Sequence, residues 1–369
     1  MIRLASPYVD SEAIETISEI LRSGNLVQGK YVNKFEKLLE KYLGVKHVIL
    51  VSSGTAALHL SALALNIKDG DEVIIPSFSY PATANAFEVA GARPVTVDIN
   101  LEDFCINTSS IEKNITEKTK AIVPVHEFGL PAEMDKIVRT SKKYNLDIVE
   151  DSACALGAEF DGHKAGSIGR LGCFSFHPRK AITTGEGGAI STNDSKLAGK
   201  VRALRNHGIA SNDSSFSFDY AGLNYRMTEF QAALGIFQFQ KLDDFINLKI
   251  EQSKVYNEFL SSCEFLRLPK DFNRRKHVYQ SYHILLSKNL DRNYIIKAMK
   301  SKGIETNLGA YSIPHLPFYL SKYKINTNFA TNSLKAYDRG LVLPVGNHIN
   351  NRDIEYICET LTSIAHSSC

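Results

Sequence analysis

The chain has 369 residues, with 43 Lys and Arg against 40 Asp and Glu and a formal net charge of +3. That length exceeds one small core and suits a large α/β domain with a smaller companion, and the evenly mixed charge offers no basic block for a nucleic acid. Six cysteines, at positions 105, 154, 173, 263, 358 and 369, show no CxxC or Cys/His ligand spacing, so a reducing compartment, no disulfide and no metal site are expected.

The start, Met1 to Ile17, carries Asp10, Glu12 and Glu15 and no apolar core of signal-peptide length. No later segment is apolar for the length of a membrane span, so a cytoplasmic protein without a membrane partner is expected. Short β-branched runs at His47 to Val51, Glu72 to Ile75, Pro94 to Val97, Ala121 to Val125, Asp147 to Val149 and Cys173 to Phe176 read as buried strands, several being apolar at consecutive positions. Amphipathic stretches lie between them, at Thr55 to Leu65, Pro81 to Val89 and Met134 to Tyr144. The alternation predicts a mainly parallel sheet covered on both faces, with ligands bound outside the carboxyl ends of its strands. Ala210 to Tyr220, rich in Ser, Asn and Asp without an apolar period, reads as an exposed loop. A helical run from Thr228 to about Phe259, a strand at Ser281 to Leu286 and a helix at Tyr294 to Lys302 suggest the smaller domain. The expected division is 1–240 and 241–369. The ending, TSIAHSSC, lacks the aliphatic pair of a prenylation signal, and Cys369 reads as a frayed end.

The segment Gly172 to Ile190, GCFSFHPRKAITTGEGGAI, is the most informative. Lys180 follows a strand and a proline-containing turn, which places it at the mouth of the sheet. There a desolvated lysine of lowered pKa becomes a nucleophile, although most lysines are simply surface residues. Glu150 and Asp151 end a buried strand, where a carboxylate needs a partner. A pyridinium nitrogen would serve, as would the cap of a following helix or a metal ion. Ser52-Ser53-Gly54-Thr55 opens a helix, and its free N–H groups with the helix dipole make half of a phosphate site, or merely a capped helix start. Phe78 and Tyr80 reach the same sheet edge; Phe78 suits the core, and Tyr80 is the better ring to stack on a flat heteroaromatic.

Together these segments resemble the DegT/DnrJ/EryC1/StrS sugar aminotransferase family of fold type I pyridoxal phosphate enzymes. The resemblance runs from Gly24 to Gly29 through SSGTAALHL, PSFSYPATANA, IVPVHEFGLPAEMD, VEDSACALGA, FSFHPRKAITTGEGG, LRNHG and LNYRMTEFQAALG to KGIET and LVLPV. It implies an aspartate-aminotransferase-like large domain and a smaller C-terminal α+β domain. It makes Lys180 the catalytic residue that holds pyridoxal 5′-phosphate, Asp151 the partner of the ring nitrogen and Tyr80 the stacking ring. Gly54, Thr55 and Ser175 would take the phosphate, completed by Asn224 of a neighbouring subunit in a homodimer with shared sites. At Cys154 many relatives have a glutamine near the ring; cysteine is shorter and a weaker donor. His177, Glu186 and His315 are candidate sugar contacts, His177 alternatively a turn residue and His315 a satisfied structural histidine.

The reaction implied is ping-pong transfer of an amino group from an amino acid, expected to be L-glutamate, to a nucleotide-linked keto sugar. The HPRKAITTGEGG turn looks closer to relatives acting at sugar C4 than to the YPGKNLGA-like turn of C3 enzymes, so a 4-keto-6-deoxy sugar for surface polysaccharide or glycan synthesis is expected. The alternatives are a C3 aminotransferase, a pyridoxamine-dependent dehydratase, against which Lys180 argues because some such relatives replace that lysine by histidine, and a non-catalytic cofactor-binding regulator.

Overall fold

The computed structural model describes residues 1–212, 215–324 and 326–367. Its centre is a seven-stranded sheet of β1 (His47–Val51), β2 (Glu72–Pro76), β3 (Arg93–Val97), β4 (Thr119–Ile122), β5 (Asp147–Asp151), β6 (Leu171–Ser175) and β7 (Gly188–Thr192), in the order β1-β7-β6-β5-β4-β2-β3. All neighbours are parallel except β7, which runs antiparallel to both β1 and β6. These strands read as continuous apolar runs because both faces are covered. Ile49 and Val51 pack with α3 (Gly54–Ala64), α4 (Ala82–Val89) and α6 (Ser195–Arg205) on one face. Val48 and Leu50, alternating with them, pack on the other face against α2 (Lys30–Leu43) and α7 (Glu229–Gln240). Farther along that face Ile74, Ile122 and Ile148 meet α5 (Met134–Tyr144).

The helical run from Thr228 is two helices, α7 and α8 (Leu242–Leu260), broken at Lys241. Thr228 starts the first with a reciprocal capping box to Gln231. The segment read as an exposed loop is instead a hairpin, Ile209–Asn212 paired antiparallel with Ser215–Phe218, and residues 213 and 214 between its strands lie outside the described set. Cys369 does too. A second core gathers Tyr256, Tyr282, Ile284, Ile295, Met299, Leu341, Ile357 and Leu361. It fills a three-stranded antiparallel sheet, in order Leu266–Arg267, Tyr282–Leu286, Gly340–Leu343, backed by α9 (Arg292–Ser301) and α12 (Asn351–Ser367). Among the described residues no helix is long and apolar enough to cross a membrane.

The amino terminus is tied to this second region: Ile2 N–H donates to Gly303 O at 2.7 Å and Glu305 N–H to Ile2 O at 2.9 Å. That tether carries Leu4 to Tyr8 across the carboxyl edge of the central sheet.

Candidate functional site

A cavity of about 470 Å³ opens at that edge, between the ends of β5 and β6, the start of α3, the amino-terminal segment and the stretch from Val342 to His348. Sheet register explains what meets there. Asp151, the last residue of β5, lies level with Cys173 of β6, and Ser175 lies level with Gly188 of β7.

Lys180 stands in the loop between β6 and β7. The loop folds back tightly: Lys180 N–H donates to His177 O at 2.8 Å, and Thr184 and Gly187 bracket Phe176 through backbone bonds of 3.0 and 2.9 Å. Its Nζ reaches into the cavity and donates to Cys154 Sγ at 3.0 Å. The expectation of a lowered lysine pKa is corrected. Burial does press the ammonium down, but Cys154, Asp151 and Glu127 together outweigh it and hold Lys180 above the ordinary lysine value.

Asp151 is 4% exposed. Its Oδ2 accepts from the Thr83 hydroxyl at 2.7 Å and its Oδ1 from Ala153 N–H at 3.2 Å. No helix follows it, so it is not a cap. Its neighbour Glu150 points to the opposite face, as strand alternation requires, and is consumed structurally by His126 Nε2 at 2.8 Å and the N–H groups of Gly166 and Ile168 at 2.8 and 2.7 Å. Among the described residues no group of three or more His, Cys, Asp or Glu could hold a metal ion.

At the other end Ser53 caps α3, its Oγ accepting Ala56 N–H at 3.0 Å. The first-turn N–H groups of Gly54 and Thr55 therefore remain free to face the cavity. Gly54 is needed there: a Cβ on it would stand 2.8 Å from Ser175 Cβ. Gly188 is needed beside it, since its Cβ would lie 2.5 Å from Ser53 O. Phe78 is fully buried with Phe104, Phe128 and His283, whereas Tyr80 is 61% exposed at the cavity mouth, edge-on to Tyr311.

His177 and Glu186 line the cavity, and burial lowers the His177 imidazole from its ordinary value. His315 does not line it; its Nδ1 meets Ser312 Oγ at 2.7 Å. Asn224 also lies outside its own chain's cavity. It is exposed, bridged to Asn206 and bonded to Arg226 Nε at 3.0 Å, with the next residue, Tyr225, accepting Ser52 N–H at 2.9 Å.

Two lining residues escaped the sequence reading. Glu127, 5% exposed, keeps its Oε2 buried without a partner, and burial with the charge of Asp151 pushes its carboxyl up to about 8, against the pull of Lys180. Lys249 of α8 is 9% exposed, and burial presses its ammonium down to about 8. Periodicity on α8 marks the second, since Lys249 falls on the buried stripe with Leu242, Ile246 and Tyr256.

The DegT/DnrJ/EryC1/StrS aminotransferase family model matches residues 7–362. The chain is 35% identical over 371 residues to GDP-perosamine synthase of Caulobacter vibrioides, covering 98% of each chain. It is 32% identical to the UDP-4-amino-4,6-dideoxy-N-acetyl-beta-L-altrosamine transaminase of Campylobacter jejuni, over 99% of this chain and 97% of that one. The solved structure of Helicobacter pylori PseC, an aminotransferase of pseudoaminic acid biosynthesis, superposes with a TM-score of 0.94 at 29% identity over 99% of both chains.

Proposed function

The chain belongs to the DegT/DnrJ/EryC1/StrS family of pyridoxal phosphate-dependent sugar aminotransferases, and on that premise we propose that it transfers an amino group from L-glutamate to C4 of a nucleotide-linked 4-keto-6-deoxy sugar. One observation carries the reading: Lys180 Nζ, the buried Asp151 carboxylate and the open start of α3 beside Ser175 share a single cavity. We also read the chain as two units, 1–240 and 241–369, with the site between them.

The residues fit the cofactor. Asp151 is a buried acceptor whose position suits a protonated ring nitrogen, and the Gly54 and Ser175 pair leaves room where a side chain would otherwise stand. When bound, pyridoxal phosphate supplies an aldehyde that a primary amine captures and a ring that accepts the electron pair left by the departing α-proton. The Gly54 and Thr55 N–H groups and the Ser175 hydroxyl would hold its phosphate, Tyr80 would cover the ring, and the Asp151 charge would keep a proton on the ring nitrogen. Lys180 Nζ, which reaches into the cavity, would hold the cofactor, and as a free amine it would move a proton from the donor's Cα and return one at the sugar carbon in the second half.

Asn224 is exposed beside the Ser52 to Thr55 turn and absent from its own cavity, which supports its completing the phosphate site of a second copy in a closed two-fold dimer. The Campylobacter relative is a transaminase of a 4-amino-4,6-dideoxy sugar, which supports amination at C4. The test is to offer the holoenzyme nucleotide-linked 4-keto-6-deoxy and 3-keto sugars in parallel with glutamate and to locate the new amine by mass and NMR. Amination of the 3-keto sugar alone would move the reaction to C3.

A further inference from the structure

Lys249 is a cation that the protein itself leaves unpaired. The side chains of Arg205 and Arg275, each 7% exposed, meet carboxylates, Glu36 at 2.9 Å and Asp103 at 2.8 Å. Lys249 makes no hydrogen bond or ion pair among the described residues. With its side chain largely buried and its head on the cavity wall, this ammonium has no protein partner, and a leucine or methionine on the same stripe of α8 would cost less. It lines the same cavity as Lys180, where burial and, more weakly, the Lys180 charge press its ammonium down against the pull of Cys154.

The acids of the cavity do not meet the need. Asp151 is occupied by Thr83 and Ala153, and Glu127 is held protonated by burial at neutral pH. Glu186 is exposed on the outer wall, its backbone fixed by Thr184 and Gln231. The missing anion therefore arrives with a ligand.

We propose that Lys249 binds a carboxylate of the amino-acid donor and so positions the donor for proton transfer to Lys180. This rests on the reading of the site as that of a transaminase with a glutamate donor. The oxyanions that such ligands bring are of three kinds: phosphate, diphosphate and carboxylate. The cofactor phosphate has its own cradle at the start of α3. In a nucleotide sugar the diphosphate is attached at C1, across the ring from C4, so it lies far from the carbon that reacts beside Lys180. The α-carboxylate of an amino acid, in contrast, is one bond from the carbon that loses its proton. A cation coupled to Lys180 suits that anion and not the other two.

The experiment separates the two half-reactions of the holoenzyme by its absorption spectrum, comparing wild type with Lys249→Met and Lys249→Arg. In the methionine variant the glutamate concentration needed for half-maximal loss of the aldehyde band should rise on the order of 30-fold or more, as for truncation of one partner of a buried charge pair. The maximal rate and the response of the amine form to keto sugar should change far less, and arginine should recover most of the loss. A readout without turnover accompanies it: glutarate binding by calorimetry to holoenzyme whose cofactor has been fixed to Lys180 with borohydride should weaken in parallel. Unchanged glutamate and glutarate affinities overturn the proposal. So does a rise confined to the keto-sugar half-reaction, which would assign the cation to the diphosphate, or a fall in both maximal rates at unchanged half-saturation, which would make Lys249 structural. If wild type does not react with glutamate at all, the donor reading fails by itself, and the glutarate titration still decides Lys249.

Discussion

Replacing Glu127 by glutamine should stabilise the cofactor-free protein progressively as pH rises from 5 to 7.5. The Glu127 carboxyl is raised from 4.5 to about 8 by burial and by Asp151, with Lys180 opposing. Below pH 4.5 the folded and unfolded chains both hold this proton, so the group costs nothing. Between 4.5 and 8 the unfolded chain releases it while the folded chain retains it, so stability falls with rising pH until the folded carboxyl ionises too. With about 1.4 kcal/mol per pKa unit, the loss between pH 5 and 7.5 comes to about 3 kcal/mol, large against a typical net stability of about 5–15 kcal/mol. Glutamine keeps the shape and does not titrate; its own unmet hydrogen bonds add an offset independent of pH. Thermal melts of both proteins across this range should therefore show the melting temperature of Glu127→Gln climbing relative to wild type. A constant difference would refute the reasoning, because it would mean that Glu127 is ionised in the folded state like any exposed acid.

Asp151→Asn keeps an acceptor for Thr83 but removes the charge, so turnover should fall on the order of 100-fold or more while the circular dichroism spectrum is retained; a near-normal rate would reduce Asp151 to a structural acid. Gly54→Ala forces a Cβ to 2.8 Å from Ser175 Cβ, an overpacking cost of about 1–3 kcal/mol, and should weaken cofactor retention in a spectroscopic titration more than it lowers the melting temperature. Mixing Lys180→Ala with an inactive Asn224→Ala protein should restore activity, because one site of each mixed dimer carries neither lesion. No recovery despite demonstrated subunit exchange would sink the shared site.

Most of the central strands were legible because several are apolar on consecutive positions, as doubly covered strands tend to be, and His47–Val51 has the bounds its residues suggest. The antiparallel β7 was harder to see: Gly188, Ala189, Ser191 and Thr192 have small side chains, suited to close approach rather than to a hydrophobic signal. The hairpin of Ile209–Asn212 with Ser215–Phe218 looks like a loop in sequence because its Ser, Asn and Asp content masks the short alternation of Phe216 and Phe218. Lys241 separates two helices with no proline or glycine to announce it. Within the site, Asp151 ends a strand and Lys180 stands in the loop that follows one, so sequence order predicts their position. Glu127 and Lys249 come from a loop and from a distant helix, and only tertiary packing brings them to the same cavity. His315 shows the reverse case, a plausible residue type in a suggestive segment whose ring meets Ser312 locally and does not line the cavity.

The most direct test follows the amino nitrogen itself. Holoenzyme is incubated with 15N-labelled L-glutamate, freed of it by gel filtration, and then given a nucleotide-linked 4-keto-6-deoxy sugar alone, with Lys180→Ala treated identically. The account predicts one labelled amino sugar per wild-type site, detected by mass, and none from Lys180→Ala. Unlabelled sugar from wild type, or equal labelled product from Lys180→Ala, would contradict it.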